Sequence, residues 1–225
     1  MPALLLLAGL AVGAVATWGT MRRRTAVTGT PITFGMAAID DAIGLRATPQ
    51  YIAPLRAQYD LLAGDLARRG ASVVVLPEEI AITTRANAAE WQSYSGGLAG
   101  RHHVALLASI TIDDGGPPEN VAWLFTADRT LGGRMTAVRG VENGYVVVRT
   151  ARDGLLTVSD AYGRIMAEQP SRAMPGTSML ATIAVPPRVA TPYARFGDWF
   201  GWLCVVSAVA MVVNLRRRPV DPVVR

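Results

Sequence analysis

The sequence predicts a layered α/β sheet domain set between two apolar helices. Two observations carry this. Through the first half, apolar strand-like runs alternate with segments of helical period, and after residue 144 three β-type segments follow one another across short turns. The apolar excess, a mean hydropathy of +0.28 with 51% hydrophobic residues, gathers at the two ends of the chain.

Residues 1–21 carry no charged side chain and are long enough to span a bilayer as a helix. Ala14, Val15 and Ala16 mimic a signal-peptide cleavage site. A signal peptide, however, carries its positive charge before the apolar run, whereas Arg22, Arg23 and Arg24 follow this one. The expectation is a retained N-terminal membrane anchor over 1–21.

A first strand is expected over 32–39. Residues 49–69 have helical spacing, with Leu55, Tyr59, Leu62 and Leu66 on one face and Gly70 as the stop. VVVL at 73–76 is a short buried strand ended by Pro77, and Glu78 and Glu79 follow it. A helix over 87–100 is weakened by Gly96 and Gly97. Residues 104–111 form a third strand. The turn formers DDGGPPEN at 113–120 reverse the chain into NVAWLFTA, whose Trp123 and Phe125 belong to the core.

A short helix is expected over 133–143, then YVVVRTA, GLLTVSD and RIMAE, separated by Arg-Asp-Gly and Ala-Tyr-Gly turns. Residues 170–192, rich in Pro, Ser and Thr, read as an extended return to a second apolar run. That run, 199–215, is expected to be a C-terminal transmembrane helix, with Trp199 and Trp202 suited to an interface. The globular domain lies between, over 30–192.

The net charge of +5 suggests nucleic acid until the charges are located. Six positive charges sit in two triplets, 22–24 and 216–218, beside the apolar runs, and the rest of the chain is nearly neutral. The basic character therefore suits membrane lipids as the partner and argues against nucleic acid. Basic residues on the inner and outer flanks balance, so charge does not decide the orientation.

All 22 basic residues are arginines, and the sequence contains no lysine. One cysteine, Cys204, excludes an internal disulfide and lies in the second apolar run. His102 and His103 are adjacent, with no further His and no accessible Cys, so no metal is expected. No Gly-rich stretch has the context of a phosphate loop, and no cofactor is expected. Asp40, Asp41, Asp113 and Asp114 read as turn carboxylates. Glu142 is expected to pair with Arg139 or Arg149 and fix a helix end. Read from the residues alone, Glu78 and Glu79 at the carboxyl end of a buried strand are first a solvated strand end and second a catalytic position, with Glu78 the candidate catalytic residue.

Three stretches resemble the carbon–nitrogen hydrolase (nitrilase) superfamily, and in particular its membrane branch, which includes apolipoprotein N-acyltransferase. RRGASVVVLPEE is similar to the segment bearing that family's catalytic Glu. RMTAVRGVENGYVVVRTARDGLLTVSDAYGRIMAE is similar to its late helix and hairpin, with the patterns R-x-x-E-N-G, V-R-x-x-x-x-G and D-x-x-G-R. YARFGDWFGWLC is similar to the lead into its last membrane helix.

The resemblance implies an α-β-β-α sandwich, a Glu-Lys-Cys triad and a domain outside the cytoplasm of a cell membrane, handling lipoprotein amines and phospholipid acyl groups. Glu78 matches the Glu. No lysine is present to match the second member, and Cys204 is outside the family's cysteine motif. At 127–134 the chain runs from strand to late helix where the family inserts several dozen residues.

The expectation is an incomplete sandwich flanked by two transmembrane helices and catalytically incompetent by itself. Its sheet should be left with open edges that a protein partner could cover. The alternative is an amide hydrolase or N-acyltransferase whose missing segment is restored or supplied in trans.

Overall fold

The computed structural model describes residues 2–40, 49–126, 131–133, 144–187 and 191–216. Its main sheet grows from the apolar runs at the start of the domain. Strands β1 (Thr30–Ala38), β2 (Val73–Val75) and β4 (Ala105–Ile112) are parallel neighbours, with β3 (Ile82–Thr83) adding to the end of β4. β5 (Glu119–Phe125) turns back antiparallel on β4, and β6 (Leu131–Gly133) pairs with the end of β5. Helices α2 (Pro49–Arg68) and α3 (Ala88–His102) connect the parallel strands, as parallel pairing requires.

Tyr59 and Leu66 of α2 and Trp91 and Leu98 of α3 pack with Val74, Leu106 and Ile110 on one face of this sheet. The expected helical face is the buried one: Leu55, Tyr59 and Leu66 are in the core, and Leu62 packs against it. Gly70, at φ +97°, ends α2 in a conformation that favours glycine, its N–H returning to the Ala67 carbonyl at 2.9 Å. Trp123 and Phe125 are buried as expected.

The three late strands form a second sheet in the order β7 (Val147–Arg149), β8 (Leu155–Ser159), β9 (Ile165–Pro170). It packs on the other face of the main sheet, where Leu156 and Val158 meet Met36, Ala38, Val75, Met179 and Ile183. The described layers are therefore helix, sheet, sheet.

Two sequence expectations are corrected here. Residues 170–192 are not simply an extended return, because β10 (Thr177–Val185) pairs antiparallel with the whole length of β1. The flanking prolines hid a β-rich core, TSMLATIAV, whose partner lies about 150 residues away. β10 covers the outer side of β1 and itself becomes the edge of the main sheet there. Among the described residues, β10 has no strand on its own outer side, and the outer side of β5 is mostly unpaired, since β6 meets just Leu124 and Phe125. The second correction concerns residues 131–133, which form a strand. The rest of the helix expected over 133–143 lies outside the described residues, as do Arg139 and Glu142.

Both apolar runs are helical: α1 (Pro2–Arg24) and α5 (Trp199–Arg216), the latter preceded by α4 (Pro192–Phe196). Among the described residues, no helix is long and apolar enough to cross a membrane. The two-span part of the expected architecture therefore has no support from these helices.

His102 ends α3, and His103 caps it at φ +53°. The His102 Nε2 atom is 2.9 Å from Asp60 Oδ1 on α2, and Arg101 Nη2 donates to the same oxygen at 2.9 Å. Burial alone would raise the Asp60 pKa, but the hydrogen bonds from Arg101 and His102 outweigh it and hold the carboxyl below its ordinary value. A depressed carboxyl pKa stabilises the fold above the unfolded value near pH 3.9 and is lost as pH falls through the folded value. Asp60→Asn is therefore expected to cost ~0.5 kcal/mol at neutral pH, because the pair is exposed enough for solvent to screen it. The cost should vanish on acidification below the folded pKa, as read by urea unfolding at several pH values. A pH-independent difference would sink the assignment.

Candidate functional site

Pro77 has no N–H to give to the ladder, so β2 leaves β4 there and rejoins it later. Leu76 N–H donates to the Leu107 carbonyl at 2.9 Å, and Ile80 N–H to the Ser109 carbonyl at 3.0 Å. Between these bonds the chain turns, which pushes Glu78 outward and brings Glu79 in. Glu78, the sequence candidate, is exposed and makes no hydrogen bond or ion pair with a described residue. Glu79 is the organised carboxylate. It accepts from the Thr111 hydroxyl and, through Oε2, from Arg152 Nη2 at 3.0 Å.

The Thr111 hydroxyl also lies 2.7 Å from Asn120 Oδ1, on the facing residue of β5. A hydroxyl has one proton, and the carboxylate is the stronger acceptor. Both contacts are satisfied together when the Asn120 amide turns its NH₂ toward Thr111.

Arg152 arrives 73 residues after Glu79 on the turn between β7 and β8. Two bonds hold that turn over the carboxyl ends of β1 and β2, and a third ties it to the residue after β9. The buried Thr150 hydroxyl donates to the Val75 carbonyl at 3.2 Å, Asp153 N–H to Asp40 Oδ1 at 2.8 Å, and Gly154 N–H to Ser171 Oγ at 2.9 Å. Asp153 itself is at φ +46°, a conformation that Asp tolerates better than most residues.

Tyr59 is buried in the same region and feels the charges of Arg152 and Asp40. Its hydroxyl has no full hydrogen bond, and the Ile39 backbone interacts with it only in a looser geometry. Burial pushes its pKa well above the usual phenol range, so it stays neutral. Ser109 alternates with the helix-facing Ala108 and Ile110, and so shares the face of Thr111; its buried hydroxyl has no partner among the described residues.

The arrangement is thus a carboxylate neutralised by a guanidinium and framed by hydroxyls and an amide. It can hold the two sheets in register and hydrogen-bond a polar group. The chain offers no lysine to it, and its one thiol, Cys204, is exposed on α5 outside the sheets. The sequence reading took Glu78 and passed over Glu79, Thr111, Asn120 and Arg152. The Arg-Asp-Gly turn is the one visible signal, and sequence alone gives it no role beyond a turn. Asp113 is the turn carboxylate expected, accepting from Gly115 N–H at 2.8 Å, and Asp114 pairs with Arg85. Among the described residues, no group of three or more His, Cys, Asp or Glu could hold a metal.

No protein-family model matches this sequence. Solved structures do share its fold. A double mutant of the amidase from Nesterenkonia sp. AN1, in complex with acrylamide, superposes with a TM-score of 0.58 at 11% identity, over 81% of this chain and 99% of the amidase. A mutant of that amidase, described as belonging to the nitrilase superfamily, gives 0.58 at 11% over 80% and 98%. The C. elegans NitFhit protein gives 0.50 at 10%, over 81% of this chain and 65% of its own. At such identities the likeness shows the fold: an α/β nitrilase-like architecture. Another mutant of the same amidase holds the acetamide moiety of fluoroacetamide covalently on its active-site cysteine.

Proposed function

We propose that this chain is a membrane-attached module of nitrilase-like fold that carries out no thiol-based acyl chemistry by itself. One observation carries the reading: the inward carboxylate at the end of β2 is occupied by Arg152 and Thr111, in a chain with no lysine and a single thiol on α5. Acyl transfer through a thiol needs a base beside the nucleophile and a free positive charge near the oxyanion. Here the guanidinium is paired and no thiol lies in the sheets. Membrane attachment is supported by the exposed apolar side chains of α5 and the arginine triplets beside both apolar runs. The domain would face outward from a cell membrane and act by binding a lipoprotein or another protein.

The test is the full chain in mild detergent, assayed with primary amides and with phospholipid acyl donors. We expect no turnover above buffer, and no change on Cys204→Ala. Acylation of Cys204 together with turnover lost in the mutant would overturn the reading.

A second reading is an amide hydrolase or N-acyltransferase completed by a segment supplied from elsewhere. It is favoured by Glu78, which stands exposed and unengaged at the carboxyl edge, and by amidases among the structures of like fold. Gene sequence across codons 127–134 separates the two. A clean in-frame join supports the binding module, and a frameshift there supports the enzyme.

A further inference from the structure

Helix α5 exposes apolar side chains on every side. At about 100° per residue, Trp202, Leu203, Met211 and Val212 project near 0°, 100°, 180° and 280° around its axis. A protein groove covers one face of a helix and would leave the others in water. A helix apolar all round needs a cover that surrounds it, and acyl chains supply one.

The segment entering α5 has a different character. Tyr193, Phe196, Trp199 and Trp202 are all exposed within ten residues, Phe196 at 65% and Trp202 at 70%. The Arg195 guanidinium lies 5.4 Å from the centre of the Phe196 ring. The junction is locally ordered. Thr191 caps α4 by accepting from Ala194 N–H at 3.0 Å, and Asp198 accepts from Gly201 N–H at 3.1 Å at the start of α5. Four aromatic rings and a cation are therefore carried on two capped helix ends.

Amphipathic Trp and Tyr rings favour the headgroup level of a bilayer, and arginine favours anionic lipid headgroups. We propose that residues 193–202 are the seat of this chain on a phospholipid surface. Tyr193, Phe196, Trp199 and Trp202 rest at headgroup depth, Arg195 meets lipid phosphate, and acyl chains cover α5 from Leu203 onward. The inference rests on the membrane reading above and adds the residues that set the depth. The seat requires that α5 enter lipid, not that it cross.

The experiment uses the full chain reconstituted in phosphatidylcholine–phosphatidylglycerol vesicles. Tryptophan fluorescence is quenched with lipids brominated near the headgroup, with lipids brominated near the bilayer centre, and with aqueous iodide. The W199F/W202F variant supplies the difference signal, with circular dichroism as the check on its fold. We expect that difference to be quenched at least twofold more by the shallow bromines than by the deep ones, and little by iodide. Arg195→Gln should weaken retention severalfold on anionic vesicles and little on neutral ones. If the chain floats with vesicles but the difference signal is quenched mainly by iodide or mainly by the deep bromines, the seat is wrong and the membrane reading stands. If the chain stays off the vesicles and runs as a dimer with Trp202 shielded, a second copy covers α5 and both fall.

Discussion

Asp160→Ala is expected to destabilise the protein by about 3 kcal/mol, toward the lower end of the cost of breaking a buried ion pair. The Asp160 carboxylate is 1% exposed. It accepts from Tyr162 N–H at 2.9 Å, from Arg164 N–H at 3.0 Å and from the Arg164 guanidinium. Alanine removes the acceptor shared by these three donors, in a turn already closed by Gly163 at φ +76°. Arg164 is partly exposed and can regain water, which keeps the cost from the top of the range. Asp160→Asn keeps the shape without the charge and should cost about half as much. Urea unfolding in mild detergent reads both, and a loss under about 1 kcal/mol for the alanine variant would show that the turn does not depend on its carboxylate.

Leu156→Ala should cost a similar amount for a different reason. Leu156 is fully buried where the second sheet meets the first, and deleting such a side chain costs about 2–5 kcal/mol, according to how far the cavity collapses. The second sheet has three short strands and holds to the first through few other large side chains, so the loss should be felt there first. The Arg152–Gly154 turn leads into β8 just before Leu156. Exchange of the Asp153 and Gly154 amides, which donate to Asp40 and Ser171, should therefore speed up before the main sheet opens. Equal acceleration at Val74 and Leu106 would mean that the two sheets unfold as one unit, and the proposed weak seam would be discarded.

The elements that could be read from the sequence are those whose cause is local. The face of α2 follows from apolar residues at helical spacing, and its end follows from Gly70. The D-x-x-G-R pattern is local too: Asp160 and Arg164 are four residues apart and meet across one tight turn. β10 was missed because its identity as a strand comes from β1, far away in sequence, while its own neighbours are prolines and small polar residues.

The candidate site divides in the same way. From the sequence alone, the chemistry has hard limits: there is no lysine, the single thiol sits in an apolar helix, and a Pro-Glu-Glu follows a buried strand. Those limits need no coordinates, because a residue absent from the chain cannot be placed. Which glutamate turns inward is a tertiary matter. It depends on where β2 leaves and rejoins the edge of β4 around Pro77, and two adjacent residues of one type look alike in sequence. That Glu79 is neutralised depends on a second sheet delivering Arg152 from 73 residues away, through packing at Leu156 and Val158 and three hydrogen bonds to its turn. Local spacing encodes turns and faces. A contact between two sheets is decided only when both are packed, because burial selects the register that aims the side chains.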